Sequence, residues 1–96
     1  MNTHWEIEIT GTARRELDQL PDATYQELLS EILSLEEDRY AEGYIPLRGV
    51  PDFYRIKAGR GRYGIIYKLL PRQRRILIVN VRLRGWAYSG YTKRRQ

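Results

Sequence analysis

Two basic side chains stand at alternate positions near the middle of the chain. Arg55 and Lys57 lie in the segment YRIKA at 54–58. In a β-strand, alternate side chains leave the same face about 7 Å apart. The segment therefore predicts a strand with two cations on one face and apolar residues on the other. The glycine-rich stretch GRGR at 59–62 predicts a turn carrying two more guanidinium groups, and 63–70 returns as a second strand.

Arginine, lysine and tyrosine side chains suit one reaction in particular, the attack of an RNA 2′-hydroxyl on its own phosphodiester. Fixed guanidinium groups stabilise the negative charge that develops on the phosphorus oxygens. Proton transfer is harder, because free tyrosine and lysine titrate near pH 10. A cluster of like charges favours neutral lysine and anionic tyrosine. We expect such an enzyme to depend on a second macromolecule that holds the RNA in the reactive geometry.

The sequence offers few candidate residues for other kinds of catalytic site. There is no cysteine, and His4 is the single histidine. No cluster of histidine, aspartate and glutamate has metal-ligand spacing. The sequence also lacks a Gly-Lys-Ser/Thr motif of the kind that binds phosphate, and it shows no serine nucleophile paired with a recognisable general base. We therefore expect an activity that uses neither a metal nor another cofactor.

Charge is distributed unevenly between the two halves of the chain. Residues 1–46 carry three basic and eleven acidic side chains, whereas residues 47–96 carry fourteen basic and one acidic. Solvated surfaces usually mix both signs, so the excess of cations indicates a polyanionic partner, with nucleic acid the first candidate. An open alternative is that the two halves neutralise each other within the fold.

The length and hydropathy of the chain indicate its class. Its 96 residues are expected to form a single domain over 1–96 with one modest core. No apolar run reaches the length of a membrane span or of a signal-peptide core, and the absence of cysteine fits a reducing compartment. We expect a cytoplasmic protein with no membrane partner.

The first half of the chain predicts a strand followed by two helices. The segment WEIEI at 5–9 alternates apolar and acidic residues, as a half-buried strand does. Thr12 is the predicted N-cap of a helix over 13–20, and Asp22 that of a second helix. The second helix carries one apolar stripe, predicted to cover the sheet, at Tyr25, Leu28, Leu29, Ile32 and Leu35.

The second half predicts three strands joined by short turns. After a loop over 39–46 and the hairpin, the apolar run 76–81 fits a central strand buried on both faces. The predicted fold class is α+β, a small and mostly antiparallel meander sheet with the two N-terminal helices packed on one face. The opposite face is predicted to be open, with Arg55 and Lys57 pointing to it.

Basic and aromatic residues follow one another after the last strand, where Arg84, Tyr88 and Tyr91 lie. Aromatic rings beside cations suit base stacking next to phosphate contacts. Trp86 in the same segment is expected to pack on the core. The predicted RNA-binding residues outside the reacting groups are Arg48, Arg60, Arg62, Lys68 and Arg82.

Two motifs resemble the RelE branch of the RelE/ParE toxin superfamily. One is LRGVPDFYRIK at 47–57, and the other is YGIIY at 63–67. The order strand, helix, helix, meander extends the resemblance over nearly the whole chain. It implies a RelE-like microbial RNase-type fold and a type II toxin that inhibits translation by cleaving mRNA in the ribosomal A site without a metal. It also implies a RelB-like antitoxin, and binding to operator DNA only through the toxin–antitoxin complex.

The resemblance also implies residue roles. Arg55 and Lys57 match the two sheet cations of RelE that contact the reacting phosphate and serve as base. Arg84 matches the arginine after the last strand, which stabilises the transition state. The tyrosine that orients or stacks the cleaved nucleotide corresponds to Tyr91 or, with one residue of slippage, to Tyr88.

The chain departs from the RelE pattern at two positions. Gly64 stands where RelE has an arginine, and Arg82 stands where a glycine is usual. Arg60 or Arg62 is a candidate replacement for the arginine absent at 64. Lys57 makes a better proton carrier than an arginine would, because a guanidinium group stays charged.

Two alternatives to an endoribonuclease remain open. A ParE-like gyrase inhibitor would share the fold and act by protein contact. A non-catalytic nucleic-acid-binding module would bind in a salt-sensitive manner and leave the RNA intact. The paired cations and the terminal tyrosines favour the endoribonuclease, because an inhibitor that acts by protein contact has no need of them.

Overall fold

The described part of the chain contains five strands, two α-helices and one 3-10 helical turn at Pro71–Gln73. The computed structural model describes residues 4–41 and 43–83. The elements are β1 (Glu6–Ile9), α1 (Gly11–Asp18), α2 (Asp22–Ser34), β2 (Ile45–Pro46), β3 (Phe53–Ala58), β4 (Tyr63–Leu70) and β5 (Arg75–Leu83). Within these residues, neither helix is long and apolar enough to cross a membrane.

The strands form one sheet in the order β1-β5-β4-β3-β2. As predicted, β3, β4 and β5 form an antiparallel meander. The two-residue strand β2 pairs antiparallel with β3, and β1 pairs parallel with β5. The predicted α+β class is confirmed, with a sheet that is mixed because its first strand runs parallel to its last.

Both helices begin at slightly different residues from those predicted. Thr10, rather than Thr12, is the N-cap of α1, because its backbone is extended and its Oγ1 accepts the N–H of Ala13 at 3.3 Å. The helix consequently begins at Gly11 and ends at Asp18. Asp22 is the first residue of α2 rather than its cap, since Pro21 occupies the capping position.

Two strand predictions also differ from the structure. The predicted loop 39–46 contains β2, which adds a short edge strand next to β3. The run 76–81 lies in β5, but the centre of the sheet is β4, because β1 adds outside β5. Leu77 and Val79 on β5 are partly exposed, so β5 is not buried on both faces as predicted.

The main core lies between the two helices and one face of the sheet. Its fully buried members include Leu17, Leu28 and Ile32 from the helices, and Ile65 and Tyr67 from β4. A second, smaller apolar cluster lies on the opposite face and joins the segment before β3 to the sheet. Its members are Leu47, Val50, Phe53, Ile66 and Val79.

The buried phenol of Tyr67 should make the folded state sensitive to alkali. Its hydroxyl donates to the backbone carbonyl of Arg39 at 2.5 Å. Burial, and then the neighbouring Tyr54, raise the pKa of Tyr67. The unfolded chain loses this proton near pH 10, whereas the folded chain retains it at higher pH. The contribution of Tyr67 to stability is therefore fully present below pH 10 and is lost as the pH rises above that value.

Above pH 10 the unfolding free energy of the wild type should fall as the pH rises. We expect this slope to be shallower in Tyr67→Phe, by up to about 1.4 kcal/mol per pH unit. At neutral pH the same variant should lose about 1 kcal/mol, the usual value of one hydrogen bond. Urea unfolding at pH 7, 10 and 11 measures both effects. Tyr25→Phe removes the same hydroxyl group from α2 and is the control for the substitution itself. A wild-type slope in Tyr67→Phe would contradict the prediction.

Candidate nucleic-acid interface

Strand β3 presents different residues to the two faces of the sheet. Ile56 and Ala58 belong to the core under the helices, whereas Phe53 belongs to the cluster on the opposite face. Because side chains alternate along a strand, Arg55 and Lys57 project from the face away from the helices, as the sequence predicts. Lys57 is exposed.

A row of residues across three strands brings a second cation level with Lys57. Lys57 pairs with Gly64 on β4, and Gly64 pairs in turn with Arg82 on β5. Since adjacent strands lie about 4.8 Å apart, the Cα atoms of Lys57 and Arg82 are about 10 Å apart. Gly64 contributes no side chain between them. The two positions at which the chain departs from the RelE pattern are therefore direct cross-strand neighbours.

Arg55 occupies a different environment from Lys57 and is only 5% exposed. In the sheet it stands between Ile45 on β2 and Ile66 on β4. The expectation of an open face is wrong at this position, because Leu47, Val50 and Phe53 pack with Ile66 and cover part of that face. A buried guanidinium group acts through a lower effective dielectric than an exposed one. Arg55 thus places a positive charge beneath the surface near Lys57.

Arg82 is held by a glutamate from the first helix. Its Nε donates to Oε2 of Glu16 at 3.0 Å. Oε1 of the same carboxylate accepts the backbone N–H of Val81 at 2.7 Å, and Nδ2 of Asn80 lies 3.3 Å from both carboxylate oxygens. Three consecutive residues of β5 therefore converge on one carboxylate, and a charge-assisted network of this kind fixes the guanidinium group.

This contact closes the edge of β5 beyond the end of β1. The parallel pairing with β1 stops at Ile78. Thr10 then continues the coverage, because its N–H and hydroxyl both donate to the carbonyl oxygen of Ile78, at 3.1 and 2.9 Å. Glu16 accepts the N–H of Val81 further along the same edge. Side chains of α1 and its cap thus replace the strand that would otherwise cover this edge.

Glu16 was missed by the sequence-based prediction of the site, although a signal for it exists. Ala13 and Leu17 are fully buried on α1. Residues three and four apart share a face of a helix, so Glu16 lies beside the apolar stripe rather than on the solvated side. An acidic residue at such a position needs a partner. Its partner could not be identified without the register of β5.

The glycine-rich turn between β3 and β4 lies at the same end of the sheet as Lys57. Gly59, Arg60 and Gly61 have φ values of 60°, 60° and 81°, in the left-handed region that favours glycine. A Cβ added at Gly59 would lie 3.0 Å from Cδ1 of Tyr63 and 3.1 Å from Cδ1 of Leu28, so the turn packs closely on α2. Arg60 is exposed on this turn, as is Arg62.

The remaining predicted RNA-binding residues lie at the other end of the face. Lys68 pairs with Phe53, and its Nζ lies 5.3 Å from the centroid of the Phe53 ring. Phe53 is four residues from Lys57 along β3, a distance of about 13 Å. Arg48 is exposed and directly follows Leu47, whose N–H donates to the carbonyl oxygen of Phe53 at 2.9 Å. The structure thus groups Lys57, Arg60, Arg62 and Arg82 at one end, with Arg55 beside them, and separates Arg48 and Lys68 from that group.

Three predicted catalytic residues, Arg84, Tyr88 and Tyr91, lie outside the described residues. Convergence of Arg84 with Arg55 and Lys57 therefore stays a prediction. Within 4–41 and 43–83, no group of three or more histidine, aspartate or glutamate residues is placed to hold a metal ion.

Several solved toxin structures are similar to this chain. A chain of the archaeal RelE–RelB complex from Pyrococcus horikoshii OT3 is 28% identical, with a TM-score of 0.72 over 88% of this chain and 100% of that one. A mutant of the E. coli toxin RelE in the free state is 20% identical, with a TM-score of 0.75 over 88% of each chain. A chain of the chromosomal ParDE toxin–antitoxin system from P. aeruginosa is 14% identical, with a TM-score of 0.66 over 83% of this chain and 96% of that one.

The comparison by sequence gives a different result from the comparison by structure. No protein-family model and no curated protein matches the sequence. The structural likeness extends over 88% of this chain and over 100% and 88% of the two RelE chains. The structure of this chain matches the RelE/ParE toxin superfamily.

Proposed function

We propose that this protein is the toxin of a type II toxin–antitoxin system and a ribosome-dependent endoribonuclease, which inhibits translation by cleaving mRNA in the A site without a metal. The observation that supports the proposal most directly is the pair of cations Lys57 and Arg82 on either side of Gly64, on the face away from the helices. The likeness to RelE toxins solved alone and with RelB supports it further.

The proposed reaction is an internal transesterification. The RNA 2′-oxygen attacks the adjacent phosphorus and the bond from phosphorus to the 5′-oxygen breaks, giving a cyclic phosphate and a 5′-hydroxyl end. Lys57 accepts the 2′-proton, for which it must be neutral, and the departing 5′-oxygen takes a proton from solvent water. Guanidinium groups, with Arg84 among them, stabilise the charge on the phosphorus oxygens, and Tyr88 or Tyr91 stacks on the nucleotide.

The proposal includes its partners. A RelB-like antitoxin neutralises the toxin, as expected for a chain similar to one solved in a RelE–RelB complex. The ribosome holds the mRNA in the reactive geometry, which compensates for weak acid–base groups. Operator DNA is bound only through the toxin–antitoxin complex, and the protein acts in the cytoplasm without a membrane partner.

Primer extension on an mRNA from cells expressing the chain tests the proposal. We expect new 5′ ends at positions that follow the reading frame, and their loss in the double variant Lys57→Ala/Arg84→Ala. Intact mRNA together with induction of the DNA-damage response would instead support the ParE-like gyrase inhibitor, a second candidate for which the similarity to the ParDE chain is the motivation. Salt-sensitive binding without cleavage would support the non-catalytic module.

The turn arginines are expected to contribute to binding rather than to the chemical step. The double variant Arg60→Ala/Arg62→Ala should weaken binding to mRNA-programmed ribosomes about tenfold at 150 mM salt. It should also lower the slope of log affinity against log salt by about 1.4, the value for two lost phosphate contacts to a single strand. Filter binding at four salt concentrations measures the slope. Arg72→Ala/Arg74→Ala removes the same charge beyond the opposite end of β4, and an equal effect in that pair would contradict a local role.

A further inference from the structure

Arg82 stands in the sheet where a second cation could reach the same phosphate as Lys57. The two residues occupy one row, with only Gly64 between them. Lysine and arginine side chains reach at least as far as half of the separation of about 10 Å between their Cα atoms. One phosphate above Gly64 would therefore lie within reach of both cationic groups.

The orientation of Arg82 is set from outside the sheet. Its Nε donates to Glu16, and the same carboxylate accepts the backbone N–H of the preceding residue, Val81. A guanidinium group carries its five N–H donors in one rigid plane, so a fixed Nε contact also fixes the plane of the terminal nitrogens. The Arg82 side chain is 30% exposed and that of Glu16 is 24% exposed. The pair is therefore partly screened from water but still reaches the surface.

We propose that Glu16 is a positioning residue, which holds Arg82 across from Lys57 so that the two cations contact one RNA phosphate from the two sides of Gly64. This inference rests on the proposed function and adds two assignments to it. Arg82 becomes a contact of the reacting phosphate, and Glu16 acts through Arg82 without touching the RNA.

Cleavage of an mRNA on purified ribosomes, with kcat and KM determined separately, tests the inference. Glu16→Gln keeps an oxygen that accepts the N–H of Val81 but removes the charge paired with Arg82. We expect kcat to fall about tenfold, KM to change less than twofold, and the melting temperature to stay within a few degrees. Glu27→Gln, an exposed position on α2, makes the same charge change and should retain wild-type kinetics.

The double variant distinguishes action through Arg82 from a general effect of the mutation. Arg82→Gln alone should lower kcat about tenfold or more, and adding Glu16→Gln should lower it no further, because the two residues act as one unit. A second fall of equal size in the double variant, or wild-type kcat in Glu16→Gln, would overturn the inference.

The same assay distinguishes failure of this inference from failure of the proposed function. A wild-type protein that cleaves mRNA alongside a fully active Glu16→Gln variant overturns the inference alone. A wild-type protein that leaves mRNA intact on ribosomes overturns the proposed function and the inference with it. If Glu16→Gln melts at a lower temperature and regains wild-type kcat on cooling, Glu16 has only a structural role and the inference is overturned.

Discussion

Replacing Lys57 by alanine is expected to lower mRNA cleavage on ribosomes by about 10²- to 10⁴-fold, the usual contribution of a general base. Lys57 is exposed on the face away from the helices, so its truncation leaves no cavity in the core. The free energy of unfolding should therefore change by less than about 0.5 kcal/mol. Single-turnover cleavage and urea unfolding of the same preparation measure the two effects.

Lys57→Arg distinguishes proton transfer from charge. An arginine keeps the positive charge and the reach toward a phosphate, but its guanidinium group does not deprotonate in this pH range. If Lys57 is the base, Lys57→Arg should bind programmed ribosomes like the wild type and cleave as poorly as Lys57→Ala. Near wild-type cleavage by Lys57→Arg would show that position 57 contributes charge alone. Arg72→Ala, which removes an exposed cation from the turn after β4, is the control and should cleave normally.

The meander was predictable from the sequence because its evidence is local. Alternation in β3 and the glycine-rich turn specify a hairpin within a few residues. The position of β1 was not predictable in the same way, because a four-residue alternating strand does not encode its partner. Its parallel pairing with β5 joins residues almost 70 positions apart, from Glu6 with Arg75 to Ile9 with Ile78. That pairing moves the centre of the sheet from β5 to β4.

The candidate site divides in the same way between local and long-range information. That Arg55 and Lys57 share a face follows from alternation alone. That Gly64 and Arg82 are neighbours depends on the register of β5 on β4, which shifts between Ile66 and Tyr67. A shift of one residue would turn Arg82 to the other face. The contact of Arg82 with Glu16 could therefore not be derived from spacing.

The burial of Arg55 is a further consequence of long-range packing. The sequence places it on a face that two helices leave uncovered, which suggests exposure. That face also carries Ile66 and Val79, and Leu47 packs against this apolar pair. Covering the pair removes apolar area from water and buries the neighbouring guanidinium group as a result. The residue that accounts for this burial is the apolar Ile66, which the strand register places directly opposite Arg55.

Ile66→Ala is expected to destabilise the fold by about 2–5 kcal/mol, because Ile66 is fully buried and the change creates a cavity. Ile65→Ala is the matched control. Ile65 is its neighbour on β4, is equally buried, and belongs to the core under the helices instead of the second cluster. Both variants should lose similar stability in urea unfolding, since each removes the same group from a fully buried position.

Cleavage activity, in contrast to stability, should differ between Ile66→Ala and Ile65→Ala. Ile66 stands opposite Arg55 on β3 and opposite Asn80 on β5, and Asn80 donates to Glu16. A cavity there borders the groups proposed to position the phosphate, so we expect Ile66→Ala to lose about tenfold in kcat at a temperature where it is folded. Ile65→Ala should stay within about twofold of the wild type, because small displacements at a reacting centre affect the rate far more than displacements elsewhere.

If an alanine variant does not fold, the valine variants, which cost about 0.5–1.5 kcal/mol each, allow the same comparison. Equal kcat values for the two positions would show that the packing of the second cluster is not coupled to the proposed site.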